Sequence, residues 1–182
     1  DWGGIVSWYF AERYPELTDN LVIFNRPHPR SRKREMALNN EQKRRSAYIA
    51  RFTTTDGDLG GMNAEQRAGR YEGTVWYERY LEAYRRSDYE AMLNYYRSYY
   101  PAAPWMVDDS PIVPLDVPVL EFHGLDDRAY VNESLDGTWK SMDKDFTLVT
   151  LPGVGHNSQN TGDIPFVTSM LRSWLELQSA RP

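Results

Sequence analysis

Apolar positions in this chain change period twice, and the changes divide it. Asp1-Trp2-Gly3-Gly4 runs straight into Ile5-Val6-Ser7-Trp8-Tyr9-Phe10-Ala11, whose length and apolar content suit a buried helix closed by Tyr14-Pro15-Glu16-Leu17. Leu21-Val22-Ile23-Phe24 is short, branched and aromatic, as a buried parallel strand should be, and Arg26-Pro27-His28-Pro29 must be loop. From Arg30 to about Asp109 strand signals vanish and helical periodicity takes over. It predicts helices over 41–52, 73–86 and 89–100, with Asp88 as cap, Pro101 as stop and a glycine-rich loop over Thr54–Gly61. After Pro111 and Pro114 the pattern predicts a strand over 117–123, a helix over 130–142, a strand over 146–151 and a helix over 164–177. Strand, helix, strand, helix means a parallel sheet. The expected architecture is an α/β core over 1–29 and 110–182, interrupted by a helical insertion over 30–109. A glycine turn as the opening feature suggests a strand before Asp1.

Composition narrows the classes. With 182 residues, 41% apolar and 14% aromatic, the chain can bury a core. A net charge of −5 from 21 basic and 26 acidic residues argues against nucleic-acid binding, and the cluster Arg30-Ser31-Arg32-Lys33-Arg34 reads as a solvated surface. There is no cysteine, which excludes disulfides, thiolate metal sites and cysteine nucleophiles, and three histidines offer no metal cluster. No stretch approaches the ~20 apolar residues of a membrane helix, and no signal peptide is visible, so the expectation is a soluble, cytoplasmic protein without cofactor or metal.

Three residues fall at ends of predicted core strands: Asp1, Asp127 after Phe122-His123, and His156 after Leu151-Pro152-Gly153-Val154-Gly155. The carboxyl ends of parallel strands converge on one crevice, so these three can meet. A carboxylate at a sharp turn can attack an electrophilic carbon, a histidine can take a proton from water, and a second carboxylate can fix the imidazole tautomer. Each also has a plainer reading, since an Asp before a helix commonly caps it and Asp126-Asp127 is ordinary turn chemistry. Asp126 competes with Asp127 for the acid role.

Asp1-Trp2-Gly3-Gly4, Trp8, Phe10-Ala11, Tyr14-Pro15-Glu16 and Asn25-Arg26-Pro27-His28-Pro29 together resemble the nucleophile-elbow region of α/β-hydrolase-fold epoxide hydrolases. The resemblance implies that Asp1 is the nucleophile and the Trp2 N–H an oxyanion-hole donor. Gly124-Leu125-Asp126-Asp127 is similar to the family's acid loop, favouring Asp127, and Pro152-Gly153-Val154-Gly155-His156 resembles its histidine loop. In the insertion, Leu93-Asn94-Tyr95-Tyr96-Arg97 and Ser46-Ala47-Tyr48-Ile49-Ala50-Arg51-Phe52 resemble the cap segments whose tyrosines bind the epoxide oxygen, matching Tyr96 and Tyr48. The implied reaction converts a small apolar epoxide to a vicinal diol through an aspartyl ester, without cofactor. Two alternatives stay open, a haloalkane dehalogenase using the same ester and a non-catalytic ligand-binding homologue. His156 is followed by Asn157-Ser158 where relatives commonly carry an aromatic residue. The resemblance also implies early strands that this sequence does not supply. The expectation is therefore a chain with little turnover by itself, partnered by the rest of the same fold or by another copy.

Overall fold

The computed structural model describes residues 1–54, 63–100, 103–161 and 163–180. The chain forms two compact units, one of residues 1–45 and 104–182, the other of residues 46–103.

The first unit is built on three parallel strands in the order β1-β2-β3: β1 (Leu21–Phe24), β2 (Val119–Gly124) and β3 (Phe146–Leu151). Leu21 faces Val119 and Phe24 faces Phe122, while Val119 faces Phe146 and Gly124 faces Leu151. Side chains alternate across a strand, so β2 serves two cores. Val119 joins Leu21 and Ile23 beneath Trp8 and Ala11 of helix α1 (Trp2–Arg13). Leu120 and Phe122 join Val167 and Trp174 of the closing helix, α9 (Ile164–Ser179), which covers the opposite face. Phe24 and Phe122 stack with ring centres 4.9 Å apart on that side. The Trp8 indole donates to the Arg26 carbonyl at 2.9 Å, tying α1 to the turn after β1. The outer side of α1 presents Val6 and Phe10 to solvent.

The basic cluster does not form a solvated surface as expected. It lies in α2 (Pro29–Leu38), with Ser31, Arg32, Glu35 and Met36 buried. His28 caps this helix, its Nδ1 accepting from the Arg30 N–H, and its Nε2 lies 3.3 Å from Glu12. Arg34 donates to the Glu133 and Asp136 carbonyls, and Lys33 pairs with Asp108 at 2.8 Å. After α3 (Asn40–Arg45) the second unit begins. The sequence puts the core boundary at Arg30, whereas the compact units divide after Arg45. The side chains of α2 and α3 supply the reason, because they reach main-chain carbonyls of the 127–136 segment.

The single helix expected over 41–52 is two, α3 and α4 (Tyr48–Thr54). The second unit adds α5 (Ala64–Ala68), α6 (Tyr77–Arg86) and α7 (Tyr89–Tyr99), around buried Ala64, Ala68 and Leu81. Asp88 caps α7 by accepting from the Ala91 N–H. The expected loop lies, beyond Thr54, outside the described residues, as does Pro101. The helix expected over 130–142 is instead two 3-10 turns, Asn132–Leu135 and Thr138–Ser141. Gly137 between them has φ 74°, a left-handed conformation that interrupts a right-handed helix. The helix α8 (Ser158–Thr161) leads into α9.

Gly124 closes β2 against the histidine loop. A Cβ there would stand 2.3 Å from the Val154 carbonyl oxygen and 2.5 Å from that of Gly155, both main-chain atoms with nowhere to go. Gly124→Ala is expected to destabilise the first unit by about 2–4 kcal/mol through forced separation of strand and loop, read as a lower urea midpoint. A midpoint unchanged from wild type would contradict this packing.

Candidate active site

The site is assembled from loops at the carboxyl end of the sheet. Asp127 follows β2, in a turn where its N–H donates to the Gly124 carbonyl. Its side chain is fully buried, and Oδ1 accepts from the main-chain N–H groups of Ala129 at 2.7 Å and Tyr130 at 3.3 Å. Oδ2 accepts from Asn25 Nδ2 at 2.9 Å and lies 2.9 Å from His156 Nδ1. Burial by itself would raise the Asp127 pKa. The hydrogen bond and charge of His156, the Ala129 N–H and the Asn25 amide outweigh it, and the carboxyl is held below its ordinary range.

His156 stands in the loop after β3, a quarter exposed, and turns its other nitrogen toward Asp1, with Nε2 3.9 Å from Asp1 Oδ2. Asp1 sits at the N-cap position of α1, yet its side chain makes no cap hydrogen bond. Its carboxylate is two-thirds exposed and directed to the imidazole rather than spent on the helix. Trp2 opens α1, so its N–H belongs to the helix terminus, where backbone donors and the positive end of the helix dipole favour an anion. Asp126 does not partner His156; its N–H donates to the Val154 carbonyl, which docks the acid loop onto the histidine loop. The Tyr130 ring lies 5.6 Å from the His156 ring.

Several residues that hold the site are not among those the sequence nominates for it. Asn25 directly follows β1 with φ 45°, a left-handed conformation that asparagine tolerates better than most residues, and it both donates to Asp127 and accepts from the Gly124 N–H. Gln42 on α3 donates to the Ala129 carbonyl and accepts from the Val131 N–H, while Arg45 donates to the carbonyls of Asp127 and Tyr130. The acid loop is thus held through its main chain. The type of Asn25 between a strand and Arg26-Pro27 is a weak pointer to a left-handed turn, but its partner is 102 residues away. Asn25→Ala removes the bond to Asp127 and places a Cβ-bearing, amide-free residue at positive φ, with an expected loss of about 2–3 kcal/mol by denaturant titration. Asn25→Gly, which keeps the backbone freedom, is expected to lose about half of that.

Tyr48 and Tyr96 lie together in the second unit, their ring centres 6.2 Å apart and edge to face, with Phe52 against both. Tyr95 is more than half exposed. Among the described residues there is no cluster of His, Asp and Glu that could hold a metal ion, and no helix is long and apolar enough to cross a membrane. A separate groove of about 760 Å³, bordered by Tyr9, Glu12, His28, Asp108 and Pro111, contains no member of the Asp1–His156–Asp127 set.

No family model matches the chain. It is 28% identical over 173 residues to epoxide hydrolase 1 of Caenorhabditis elegans, a match covering 86% of this chain and 42% of that protein. It is 31% identical over 110 residues to the AB hydrolase superfamily protein YfhM of Bacillus subtilis (strain 168), covering 54% of this chain and 38% of the relative. The chain therefore spans about two fifths of the length of these curated relatives. Among solved structures, a point mutant of an epoxide hydrolase from Bacillus megaterium superposes with a TM-score of 0.81 at 24% identity, covering 97% of this chain and 67% of that one. Epoxide hydrolase A from Mycobacterium thermoresistibile superposes with a TM-score of 0.66 at 19% identity over 97% of this chain and 67% of its own. Strand order, element order and these likenesses together establish an α/β-hydrolase fold of the kind found in epoxide hydrolases.

Proposed function

We propose that the protein to which this chain belongs hydrolyses a small apolar epoxide to a vicinal diol through an ester on Asp1. One observation carries the reading: His156 is bonded to buried Asp127 through Nδ1 and faces Asp1 through Nε2. With the Nδ1 hydrogen donated to Asp127, Nε2 keeps its lone pair on the side of Asp1, the tautomer a general base requires. At 3.9 Å, Nε2 and the Asp1 carboxylate are too far apart for a direct hydrogen bond. That suits a base acting on water beside Asp1 rather than on Asp1 itself.

In the proposed cycle an Asp1 oxygen attacks a ring carbon, the C–O bond of the epoxide breaks, and its oxygen takes a proton from Tyr48 or Tyr96, donors given by the family resemblance. Water then loses a proton to His156 and attacks the ester carbonyl, Asp127 balances the imidazolium, and the Trp2 N–H stabilises the oxyanion. Collapse of the tetrahedral species breaks the bond to the alkoxide, which takes the second water-derived proton from the new carboxyl and leaves as the diol; the proton held by His156 returns through solvent to the tyrosinate, and the Asp1 carboxylate is restored. No step calls for a metal or an organic cofactor.

The test is a single turnover of an aryl epoxide in oxygen-18 water, using the chain with whatever its gene encodes on either side, followed by peptide mass analysis. Label is expected in the Asp1 carboxylate, because water attacks the ester carbonyl. Diol formation with Asp1 unlabelled would mean that water opens the ring directly, and would exclude the ester.

A further inference from the structure

Arg26 follows Asn25 at the end of β1 and is only 1% exposed, a degree of burial that arginine rarely reaches. Its guanidinium carbon stands 5.7 Å from the centre of the Trp2 ring and 5.2 Å from that of Tyr130, and Nη1 donates to the Tyr130 hydroxyl. Its stem fills the place that a Cβ on Gly4 would take, 2.7 Å from Arg26 Cβ and 3.0 Å from Cγ. Its own carbonyl is held by the Trp8 indole. One side chain therefore meets the opening turn of α1 at both Trp2 and Gly4, and reaches the acid loop at Tyr130, whose ring lies against His156.

A guanidinium fixed between two aromatic faces, with its stem packed against a glycine, does not reorient as charge develops nearby, which is what makes a buried cation useful to a reaction. Lysine in its place would keep the charge but lose the planar fork and both ring contacts, whereas methionine would keep only the length.

We infer that Arg26 is a positioning residue for ester breakdown, clamping the Trp2 end of α1 to Tyr130 of the acid loop and holding a fixed positive charge against the Trp2 ring. The inference rests on Asp1 being the nucleophile. The negative charge in question is the oxyanion formed when water adds to the Asp1 ester carbonyl, and the clamp keeps the Trp2 N–H and the His156–Asp127 pair in register with it.

The experiment compares wild type, Arg26→Met, Arg26→Lys and Tyr130→Phe in single turnover, following ester formation and ester loss as separate phases by rapid quench and intact mass. Arg26→Met is expected to slow ester loss by about 10- to 100-fold with substrate affinity changed less than about threefold, and Arg26→Lys to recover part of the rate. Tyr130→Phe is expected to slow it by about threefold, and to add nothing when combined with Arg26→Met, as members of one clamp should. If Arg26→Met misfolds, Arg26→Lys and the Tyr130→Phe combination carry the comparison. Rates of both phases within about twofold of wild type in Arg26→Met and Arg26→Lys, with only the melting temperature lowered, would reduce Arg26 to packing and overturn the inference. Absence of any ester in wild type would instead overturn the nucleophile reading, and is visible before any variant is examined.

Discussion

His156→Gln protein is expected to form the Asp1 ester and then hold it. Ring opening needs the Asp1 carboxylate and a proton for the departing oxygen, neither of which His156 supplies in the proposed cycle. Ester breakdown needs a base on the Nε2 side, which glutamine cannot be, while its amide can still donate toward Asp127. Loss of a general base costs about 10²- to 10⁴-fold. Ester loss should fall by that factor while ester formation stays within about fivefold, the modest loss reflecting a disturbed site. Intact mass should show a species heavier by one epoxide that persists after substrate is removed, and Asp1→Ala should never show it. Loss of turnover with no adduct in His156→Gln would mean that the imidazole acts before the ester, and the order of steps proposed above would be wrong.

Glu121→Gln is expected to change how the first unit's stability responds to alkaline pH. Glu121 and His123 point from β2 into the α1 side of the sheet, both wholly buried, and neither the carboxyl oxygens nor the ring nitrogens have a hydrogen-bond partner among the described residues. Burial raises the Glu121 pKa from 4.5 to about 8. Burial, together with the charge of His156 and against that of Asp127, lowers the His123 pKa from 6.5 to about 4. The signs oppose. Between pH 4.5 and 8 the folded chain binds more protons at Glu121 than the unfolded chain does, so stability falls as pH rises. Between 4 and 6.5 the unfolded chain binds more protons at His123, so stability falls as pH drops. The two slopes largely cancel from 4.5 to 6.5, and the Glu121 loss continues alone up to about 8.

The full Glu121 effect, at about 1.4 kcal/mol per pH unit between 4.5 and about 8, is on the order of 5 kcal/mol and is an upper bound, because water reaching the carboxylate on local opening reduces it. In Glu121→Gln the decline between pH 6.5 and 8 should disappear, and at pH 8 the variant should exceed wild type by about 2–4 kcal/mol; at pH 4 the two should nearly coincide. Urea titrations at these pH values decide it. An unchanged alkaline decline in Glu121→Gln would place the ionising group elsewhere.

Much of the architecture could be read before any coordinates because its signals are local. Apolar runs of strand length bounded by Pro and Gly located β1, β2 and β3, and Asp88 ahead of an apolar-periodic segment located the start of α7. The fold misled the reading where tertiary contacts override local pattern. The segment 130–142 has a helix-compatible composition, but Gly137 in a left-handed conformation divides it into two short turns. The arginines of α2 look like solvent-exposed charge, yet Arg32 is buried and Arg34 is spent on carbonyls about a hundred residues further on. At the site, Asp1, Asp127 and His156 could be nominated because strand ends in a parallel sheet share one rim. Asn25, Gln42 and Arg45 could not, since each acts through partners more than 80 residues away and their residue types are ordinary for a turn or a polar helix.

The contact of Gly124 with the carbonyls of Val154 and Gly155, and the bond from the Asp126 N–H to Val154, join two segments of backbone rather than two side chains. The separation between Asp127 and His156 is consequently set by the polypeptide trace itself. Substituting a neighbouring side chain such as Asn157 or Arg128 leaves that trace intact, whereas inserting or deleting a single residue in either loop would shift the imidazole against Asp127.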